Sequence, residues 1–299
     1  MSKYRLGLIY GLSSYTLWGL FPLYWPLLQP ATPLEMVSHR AVWSLVFCVI
    51  LLAIGHQLKS TFTLMISPGI FWRLTLAAFF ISINWLSYIW AVNNEQIVEA
   101  SLGYYMQPIL LVMMGILAFK EKMRKIQWAS FIVAAFGVII LTIDYGRPPW
   151  VSFALAFSWS SYSFVKKKLN LGALQGLAIE TLISSVFYGT YIIWIGSNGT
   201  GQFGKAPGLT LLLVGAGLVT AIPLLLFNGA TSRIPFTMIG LLQYLTPTIQ
   251  FLLAVFLRHE PMPSGRWLGF VFIWLALITL GYDLIKSGSS RDNRLAQPD

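Results

Sequence analysis

Residues 97–119 read IVEASLGYYMQPILLVMMGILAF, a run of 23 residues with a single charged side chain. A helix of about 20 mainly apolar residues is long enough to cross the hydrocarbon core of a bilayer. A second stretch lies 139 residues further along the chain and has a similar pattern. Residues 236–258 read FTMIGLLQYLTPTIQFLLAVFLR, and Pro247 takes the position that Pro108 has in the first stretch. These two stretches predict a membrane protein with an internal repeat.

The composition of the whole chain supports a membrane location. Hydrophobic residues make up 57% of the 299 residues, charged residues only 10%, and the mean hydropathy is +0.70. Soluble domains carry about a quarter charged residues, so this chain cannot cover a water-facing surface. The net charge of +10 would suggest nucleic acid as the partner of a soluble protein. Here the basic residues lie between apolar runs, so membrane lipid is the expected partner and nucleic acid is not.

The apolar runs predict an all-α integral membrane fold with ten transmembrane helices. The predicted spans are 6–28, 34–54, 70–92, 97–119, 126–143, 150–165, 174–195, 209–230, 234–257 and 265–285. The sixth span is short and rich in serine, so we expect it inside the bundle, where hydroxyl groups can bond backbone carbonyls or neighbouring helices.

The basic residues predict which way the chain crosses the membrane. Ten spans place both termini on one side, and with that side cytoplasmic, fifteen Lys and Arg residues face inward and four face outward, while Arg40 lies within a span. Cytoplasmic loops are enriched in Lys and Arg, so both termini are predicted to be cytoplasmic. The apolar run after Lys3 and Arg5 continues past residue 25 without a cleavage site, and we interpret it as an uncleaved first span.

The offset of 139 relates spans three to five to spans eight to ten without a gap. The scarcer matched residues are Tyr105/Tyr244, Pro108/Pro247, Glu121/Glu260, Trp128/Trp267 and Asp144/Asp283. Because five is an odd number, two five-helix repeats over 1–145 and 146–286 would be inverted, followed by a disordered cytoplasmic tail over 287–299. Inverted repeats are typical of secondary transporters that work by alternating access. A duplication that only built a larger membrane protein is the alternative.

Several motifs resemble those of one family over nearly the whole chain. They are Trp18-Gly19-x-Phe21-Pro22-x-Tyr24, Glu35-x3-His39-Arg40-x2-Trp43-Ser44, Trp90-Ala91-Val92-Asn93, Glu99-Ala100-Ser101-Leu102-Gly103-Tyr104 and Gln243-Tyr244-x2-Pro247-Thr248. The sequence resembles RarD proteins, of the EamA branch of the drug/metabolite transporter superfamily. The resemblance implies ten helices in two inverted repeats in a bacterial cytoplasmic (inner) membrane, and export of small metabolites or drugs, with a family name linked to chloramphenicol sensitivity. It leaves the substrate undefined.

A motif shared by spans four and nine marks the predicted centre of the substrate pathway. Its residues are Tyr105, Gln107, Pro108, Gln243, Tyr244 and Pro247. Proline removes a backbone donor and bends a helix, and the freed carbonyls are tolerated in a membrane only where they face protein or a cavity. A packing kink compensated by neighbouring helices is the alternative. The residues predicted to complete the cavity are Trp18, Asn84, Trp85, Tyr88 and Tyr162. Such a lining suits an amphipathic or aromatic small molecule.

Ionisable side chains inside spans are costly and need an explanation. Glu35 and His39 are four residues apart and share a helix face, whereas Arg40 is turned away, toward another helix or an anionic group. This group is either a charge-neutralised packing cluster or a site for substrate or protons. Glu99 either has such a role or extends to the interface. Glu180 roughly mirrors Glu35 in the repeat, which suggests one gate on each side.

Three classes of function remain open from the sequence. A secondary transporter is favoured, and the absence of a GxxxxGK[ST] loop excludes ATP as its motor; a proton-independent facilitator would need none of the embedded carboxylates. A membrane enzyme is disfavoured because only one His lies within the spans and no Asp lies at depth to partner it. A non-transporting sensor or scaffold is the third. No cofactor or metal is expected, and the oligomeric state is left open.

Overall fold

The computed structural model describes residues 2–93, 97–120, 122–145, 150–169, 171–257, 264–265, 267–276, 278–279 and 282. Over these residues the chain is helical and contains no strand. The helices are α1 (Lys3–Gly19), α2 (Phe21–Tyr24), α3 (Pro33–Ile54), α4 (Leu58–Met65), α5 (Pro68–Asn93), α6 (Ile97–Phe119), α7 (Lys125–Tyr145), α8 (Trp150–Leu169), α9 (Ala173–Ser197), α10 (Pro207–Thr231), α11 (Phe236–Leu242), α12 (Leu245–Leu252) and α13 (Trp267–Ala276). A short 3₁₀ helix follows α2 over Trp25–Leu28, and a π-helical turn follows α12 over Leu253–Leu257. The predicted tail, 287–299, lies outside the described residues.

Six described helices are long and apolar enough to cross a membrane: α3, α5, α6, α7, α9 and α10. They account for predicted spans two, three, four, five, seven and eight. The remaining predicted spans hold helices that are shorter, interrupted or more polar. The first is divided at Leu20, and the ninth is divided between α11 and α12. The chain is thus a multi-pass, all-helical membrane protein.

Two helices, α1 and α3, begin at a side-chain cap. The Ser2 hydroxyl accepts a hydrogen bond from the Arg5 amide at 3.2 Å and begins α1. Thr32 does the same for the Glu35 amide at 3.3 Å, and Pro33 occupies the first helical position of α3, where no amide donor is needed. These short polar signals mark where α1 and α3 begin.

The serine-rich helix α8 lies inside the bundle, as its sequence predicts. Its residues are mostly buried, and it packs against α5 and α6. The Ser158 hydroxyl donates to the Leu155 carbonyl at 3.2 Å, and that of Ser152 donates to the Glu99 carbonyl at 2.5 Å. These two hydroxyls are thereby satisfied without water, which favours a polar helix between other helices over one facing lipid.

The helix pairings follow a regular scheme. Helix α1 packs against α10 and α12, and α8 packs against α5 and α6. Helix α3 packs against α9, and α6 packs against α11. Two glycines allow close approach between these helices. A Cβ on Gly217 of α10 would lie 2.5 Å from the backbone of Trp43, and one on Gly103 of α6 would lie 2.9 Å from the Cα of Ser152. Small residues at helix crossings are typical of membrane bundles.

Candidate functional site

A partly open cavity lies among the helices and holds about 600 Å³ of empty space, which includes open solvent at its mouth. Its lining combines seven aromatic rings, several amide and hydroxyl groups, and one cationic side chain. The lining residues are Tyr15, Trp18, Phe21, Arg40, Asn84, Trp85, Tyr88, Tyr104, Gln107, Trp159, Gln243, Thr246, Pro247 and Gln250. They come from α1, α2, α3, α5, α6, α8, α12 and the junction between α11 and α12, so both halves of the chain contribute. A concave, mainly apolar lining with a few polar groups is the usual form of a small-molecule site.

A network of amides forms one wall of this cavity. Gln107 Nε2 donates to the Leu155 carbonyl at 3.1 Å, and Asn84 Nδ2 donates to the same carbonyl at 3.0 Å. Gln243 Nε2 donates to Gln107 Oε1, and Trp159 Nε1 donates to Gln243 Oε1 at 3.0 Å. Each amide is therefore held in one orientation by another helix, which gives the wall a fixed shape.

The aromatic rings are held mainly by edge contacts. The rings of Trp18 and Trp159 lie 4.9 Å apart and nearly perpendicular, at 89°. Tyr15 meets Trp18 at 5.5 Å and donates its hydroxyl to the Ile239 carbonyl at 3.2 Å. Tyr88 and Tyr104 are 5.5 Å apart. Edge-to-face pairs lock ring orientation, so flat apolar walls are in place before any ligand arrives.

Arg40 brings a positive charge to the cavity. Its Nε donates to Thr220 Oγ1 at 3.0 Å, and its guanidinium carbon lies 4.2 Å from the Trp85 ring centre and 4.6 Å from that of Trp25. The residue is only 4% exposed. Within the described part of the chain, no carboxylate lies within 4 Å of its guanidinium.

The two prolines of the predicted motif affect their helices differently. Helix α6 runs through Pro108 from Ile97 to Phe119, so the interruption expected there is not seen. In the repeat-related stretch, α11 ends at Leu242 and α12 begins at Leu245. Helix α1 ends beside this junction, and polar side chains bond its last carbonyls. Thr246 Oγ1 donates to the Tyr15 carbonyl at 2.8 Å, and Gln250 Nε2 donates to the Trp18 carbonyl at 3.2 Å.

Seven of the eleven residues predicted for the substrate pathway line the cavity: Trp18, Asn84, Trp85, Tyr88, Gln107, Gln243 and Pro247. Four do not: Tyr105, Pro108, Tyr162 and Tyr244. Tyr105 and Tyr244 are buried in a separate aromatic cluster, where Tyr105 meets Phe270 at 4.9 Å. Adjacent residues of a helix point about 100° apart, so the cavity takes Tyr104 and Gln107 from α6 and leaves Tyr105 to the cluster.

Six lining residues were not among the predicted site residues: Tyr15, Phe21, Tyr104, Trp159, Thr246 and Gln250. A sequence signal exists for some of them. Gln243, Thr246, Pro247 and Gln250 are spaced as i, i+3, i+4 and i+7, which places them on one face of a helix. A polar stripe of this kind in an otherwise apolar run indicates a face turned away from lipid. Arg40, predicted as a gating or coupling residue, also belongs to the lining.

Glu35 and His39 lie beside the cavity-facing part of α3, at one end of the bundle. Glu35 Oε1 accepts hydrogen bonds from the amides of Gln202 at 2.6 Å and Phe203 at 3.3 Å, in the loop between α9 and α10. His39 Nε2 lies 4.0 Å from the same oxygen, and its ring stacks on Phe203 at 4.8 Å. The Glu35–His39 contact agrees with their spacing in the sequence. Both residues hold the loop against α3 and do not line the cavity.

Glu99 is buried and binds the beginning of α8. Its Oε1 accepts the Val151 amide at 2.7 Å. A carboxylate at a helix start satisfies an unpaired amide and complements the helix dipole. Full burial does not fit the alternative in which Glu99 extends to the interface.

Glu180 lies toward the opposite end of the bundle from Glu35. Lys166 Nζ of α8 donates to Glu180 Oε1 at 2.6 Å, and the Tyr162 hydroxyl donates to Oε2 at 3.2 Å. All three side chains are buried. The ion pair joins the last turn of α8 to α9 and is compensated within the bundle, so it adds no net charge there.

Long apolar helices around an aromatic-lined cavity define a multi-pass membrane protein. The model of the EamA-like transporter family matches the chain over residues 5–143 and again over 149–282. The chain therefore belongs to the EamA-like transporter family. It is a membrane transporter, multi-pass in the inner membrane.

Its relatives include proteins with the RarD name. The chain is 43% identical to Protein RarD of Streptomyces exfoliatus over 98% of this chain and 94% of that protein. It is 36% identical to Protein RarD of Escherichia coli (strain K12), over 94% of this chain and 95% of that one. A solved crystal structure shares its fold, with a TM-score of 0.71 at 17% identity, covering 93% of this chain and 98% of that chain.

Proposed function

We propose that this protein is a secondary transporter that exports small metabolites or drugs across the inner membrane by alternating access. The cavity carries the proposal, because helices from both halves of the chain line it and a small molecule could contact both at once. Transport, as opposed to sensing or catalysis, also fits the names of its relatives.

The architecture proposed for this activity is ten helices in two inverted repeats, residues 1–145 and 146–286. The two matches to the family model support this division. The helix pairings support it too. If each of the first five spans is exchanged with its counterpart in the second five, the pair α1–α10 becomes the pair α8–α5, and the pair α1–α12 becomes the pair α8–α6. All four pairs are in contact. Helices α3 and α9 exchange with each other. Such equivalence lets the two halves swap conformations, which opens a central site to each side in turn.

Two buried clusters are proposed as gates at the ends of this pathway. At one end, Glu35 ties α3 to the loop that carries Gln202. At the other, Lys166 ties α8 to Glu180 of α9. A gate must break reversibly, and a few charge-assisted hydrogen bonds between separate helices suit that task. We propose that the Glu180 end, with both chain termini, faces the cytoplasm, in keeping with the distribution of basic residues.

Alternating access can be tested with a single cysteine in the cavity. In a Cys48→Ser background, Gln250→Cys should react with a membrane-impermeant methanethiosulfonate reagent added to either side of oriented vesicles. Val186→Cys is the control, because Val186 lies on α9 and is 71% exposed on the bundle surface. We expect that surface to face lipid, where no thiolate forms. Reaction of Gln250→Cys from only one side under all conditions would contradict alternating access.

Transport itself is tested by flux from proteoliposomes. One relative, 29% identical, is named Chloramphenicol-sensitive protein RarD of Pseudomonas aeruginosa, so radiolabelled chloramphenicol is a reasonable first compound. We expect saturable efflux that empty liposomes do not show. The same assay with and without a pH gradient tests proton coupling, because saturable flux that does not depend on the gradient would make the protein a facilitator.

A reporter fused after Arg294 tests the orientation and should be active only in the cytoplasm.

A further inference from the structure

Arg40 is the one charged side chain among the residues that line the described cavity. The other lining residues are neutral, so the chamber carries a net positive charge. Other buried charges in the described bundle have partners: Lys166 pairs with Glu180, and the Glu35 carboxylate accepts hydrogen bonds from the amides of Gln202 and Phe203. Arg40 differs from both because no described residue supplies an anion to its guanidinium.

The contacts of Arg40 hold the guanidinium without neutralising it. The indole faces of Trp85 and Trp25 lie 4.2 and 4.6 Å from the guanidinium carbon and attract it through their ring electrons. A guanidinium has five N–H donors. The bond from Nε to Thr220 is the only hydrogen bond that Arg40 makes with described residues. The remaining donors are thus positioned by aromatic walls and left to an occupant of the cavity.

The chemistry of the remaining wall restricts that occupant. Asn84 Nδ2 donates to two protein acceptors, whereas Gln107 Nε2 and Gln243 Nε2 each donate to one, so each glutamine keeps one neutral N–H. Among the described lining residues, a ligand group that needs charged donors finds them at Arg40. Rings such as those of Trp18 and Trp159 offer flat apolar contact to the rest of the molecule.

We propose that the cavity binds small molecules that join an aromatic or similarly flat apolar body to one carboxylate, and that Arg40 binds the carboxylate. This inference rests on the proposed transport function and names the substrate class of the same site. A planar guanidinium can bind both carboxylate oxygens at once, which neutral amides cannot match. A cationic analogue would place two like charges in a chamber of low dielectric constant and is rejected.

Three compounds of similar shape test the proposal on the unaltered protein: 1-naphthylacetate, 1-naphthylacetamide and 1-naphthylmethylammonium. Binding to detergent-solubilised protein is measured by calorimetry at pH 7. We expect the carboxylate to bind at least tenfold more tightly than the amide, and the ammonium compound not to bind. Equal affinity of carboxylate and amide, or absence of saturable binding by the carboxylate, overturns the proposal.

Variants then assign the preference to Arg40. Arg40→Gln should remove the tenfold preference while amide affinity changes by less than about twofold, and Arg40→Lys should keep part of it, since the charge remains and the planar fork is lost. Arg73→Gln is the control, because it removes a positive charge from an exposed position on α5. A preference that survives in folded Arg40→Gln protein overturns the proposal.

The proposed transport function can fail separately. If the carboxylate binds in an Arg40-dependent manner but no compound crosses proteoliposome membranes, the substrate class stands and transport does not. If neutral compounds are transported saturably and Arg40→Gln leaves their flux and the binding series unchanged, transport stands and the substrate class is wrong.

Discussion

The two related stretches, 97–119 and 236–258, share a sequence pattern and differ in backbone. The first is one continuous helix through Pro108, whereas the second is interrupted between Leu242 and Leu245. In each stretch one tyrosine, Tyr105 or Tyr244, packs in the same aromatic cluster. A neighbouring face of each stretch lines the cavity. The two stretches therefore share these scaffold contacts and differ at the cavity.

The two stretches differ in which positions carry the amide side chains of the cavity wall. At the repeat offset, Gln107 corresponds to Thr246, and Gln243 corresponds to Tyr104. All four residues line the cavity. Gln107 and Gln243 nevertheless meet each other across the cavity wall. The cavity wall is therefore asymmetric between the two stretches, which would let one ligand bind in a single orientation.

The contact that joins the two stretches should be the most sensitive to substitution. A Cβ on Gly240 would lie 3.0 Å from the Pro108 carbonyl oxygen and 3.0 Å from Val112 Cγ2. Gly240→Val should therefore push α11 away from α6. Overpacking of this kind lowers the free energy of unfolding by about 1–3 kcal/mol. Thermal unfolding in detergent, followed by tryptophan fluorescence, should show a marked fall in Tm.

Gly189→Val is the matched control, because no atom lies within 4 Å of a Cβ at Gly189. Its Tm should stay close to that of the unaltered protein. Equal Tm values for the two valine variants would contradict the close packing of α6 on α11.

The amide bridge should be the next most sensitive feature. Gln243→Leu leaves Trp159 Nε1 and Gln107 Oε1 without their partner. An unsatisfied buried polar group costs about 1–3 kcal/mol, and the cavity wall loses its fixed shape. We expect a lower Tm and at least a tenfold loss of flux in proteoliposomes.

The repeat-related substitution, Tyr104→Phe, provides the comparison for Gln243→Leu. It removes one hydroxyl and leaves the ring that meets Tyr88, so the effect on flux should be smaller. A larger loss in Tyr104→Phe than in Gln243→Leu would reverse the assignment of the amide bridge as the principal polar element of the wall.

The smallest effect is expected in the shared aromatic cluster. The hydroxyls of Tyr105 and Tyr244 are buried and have no hydrogen-bond partner in the part of the chain that the structure describes. Tyr105→Phe and Tyr244→Phe remove a desolvated group without breaking a bond, so stability should change by less than about 1 kcal/mol. Flux should stay within twofold. A tenfold loss of flux at stable Tm would return these tyrosines to the substrate pathway, where the sequence motif had placed them.

The prediction of charged groups was most successful where spacing alone fixed geometry. Glu35 and His39 are four residues apart in one helix, and their contact followed from the helix period. The partners of Glu35 in the loop at 202–203 and of Glu180 at Lys166 could not be predicted in this way. They depend on how separate helices are placed, which no local spacing contains.

By itself, the sequence determined that this protein lies in a membrane, where its main helices run, and which stretches are related by repetition. Those properties follow from apolar length, caps and identities at a fixed offset. Only the tertiary structure decided that Tyr104 faces the cavity while Tyr105 does not, and that Arg40 meets no carboxylate among the described residues. The physical reason is that lipid is as apolar as a helix interface. A membrane helix can therefore be hydrophobic on all sides, and its sequence leaves its rotation to the packing of its neighbours.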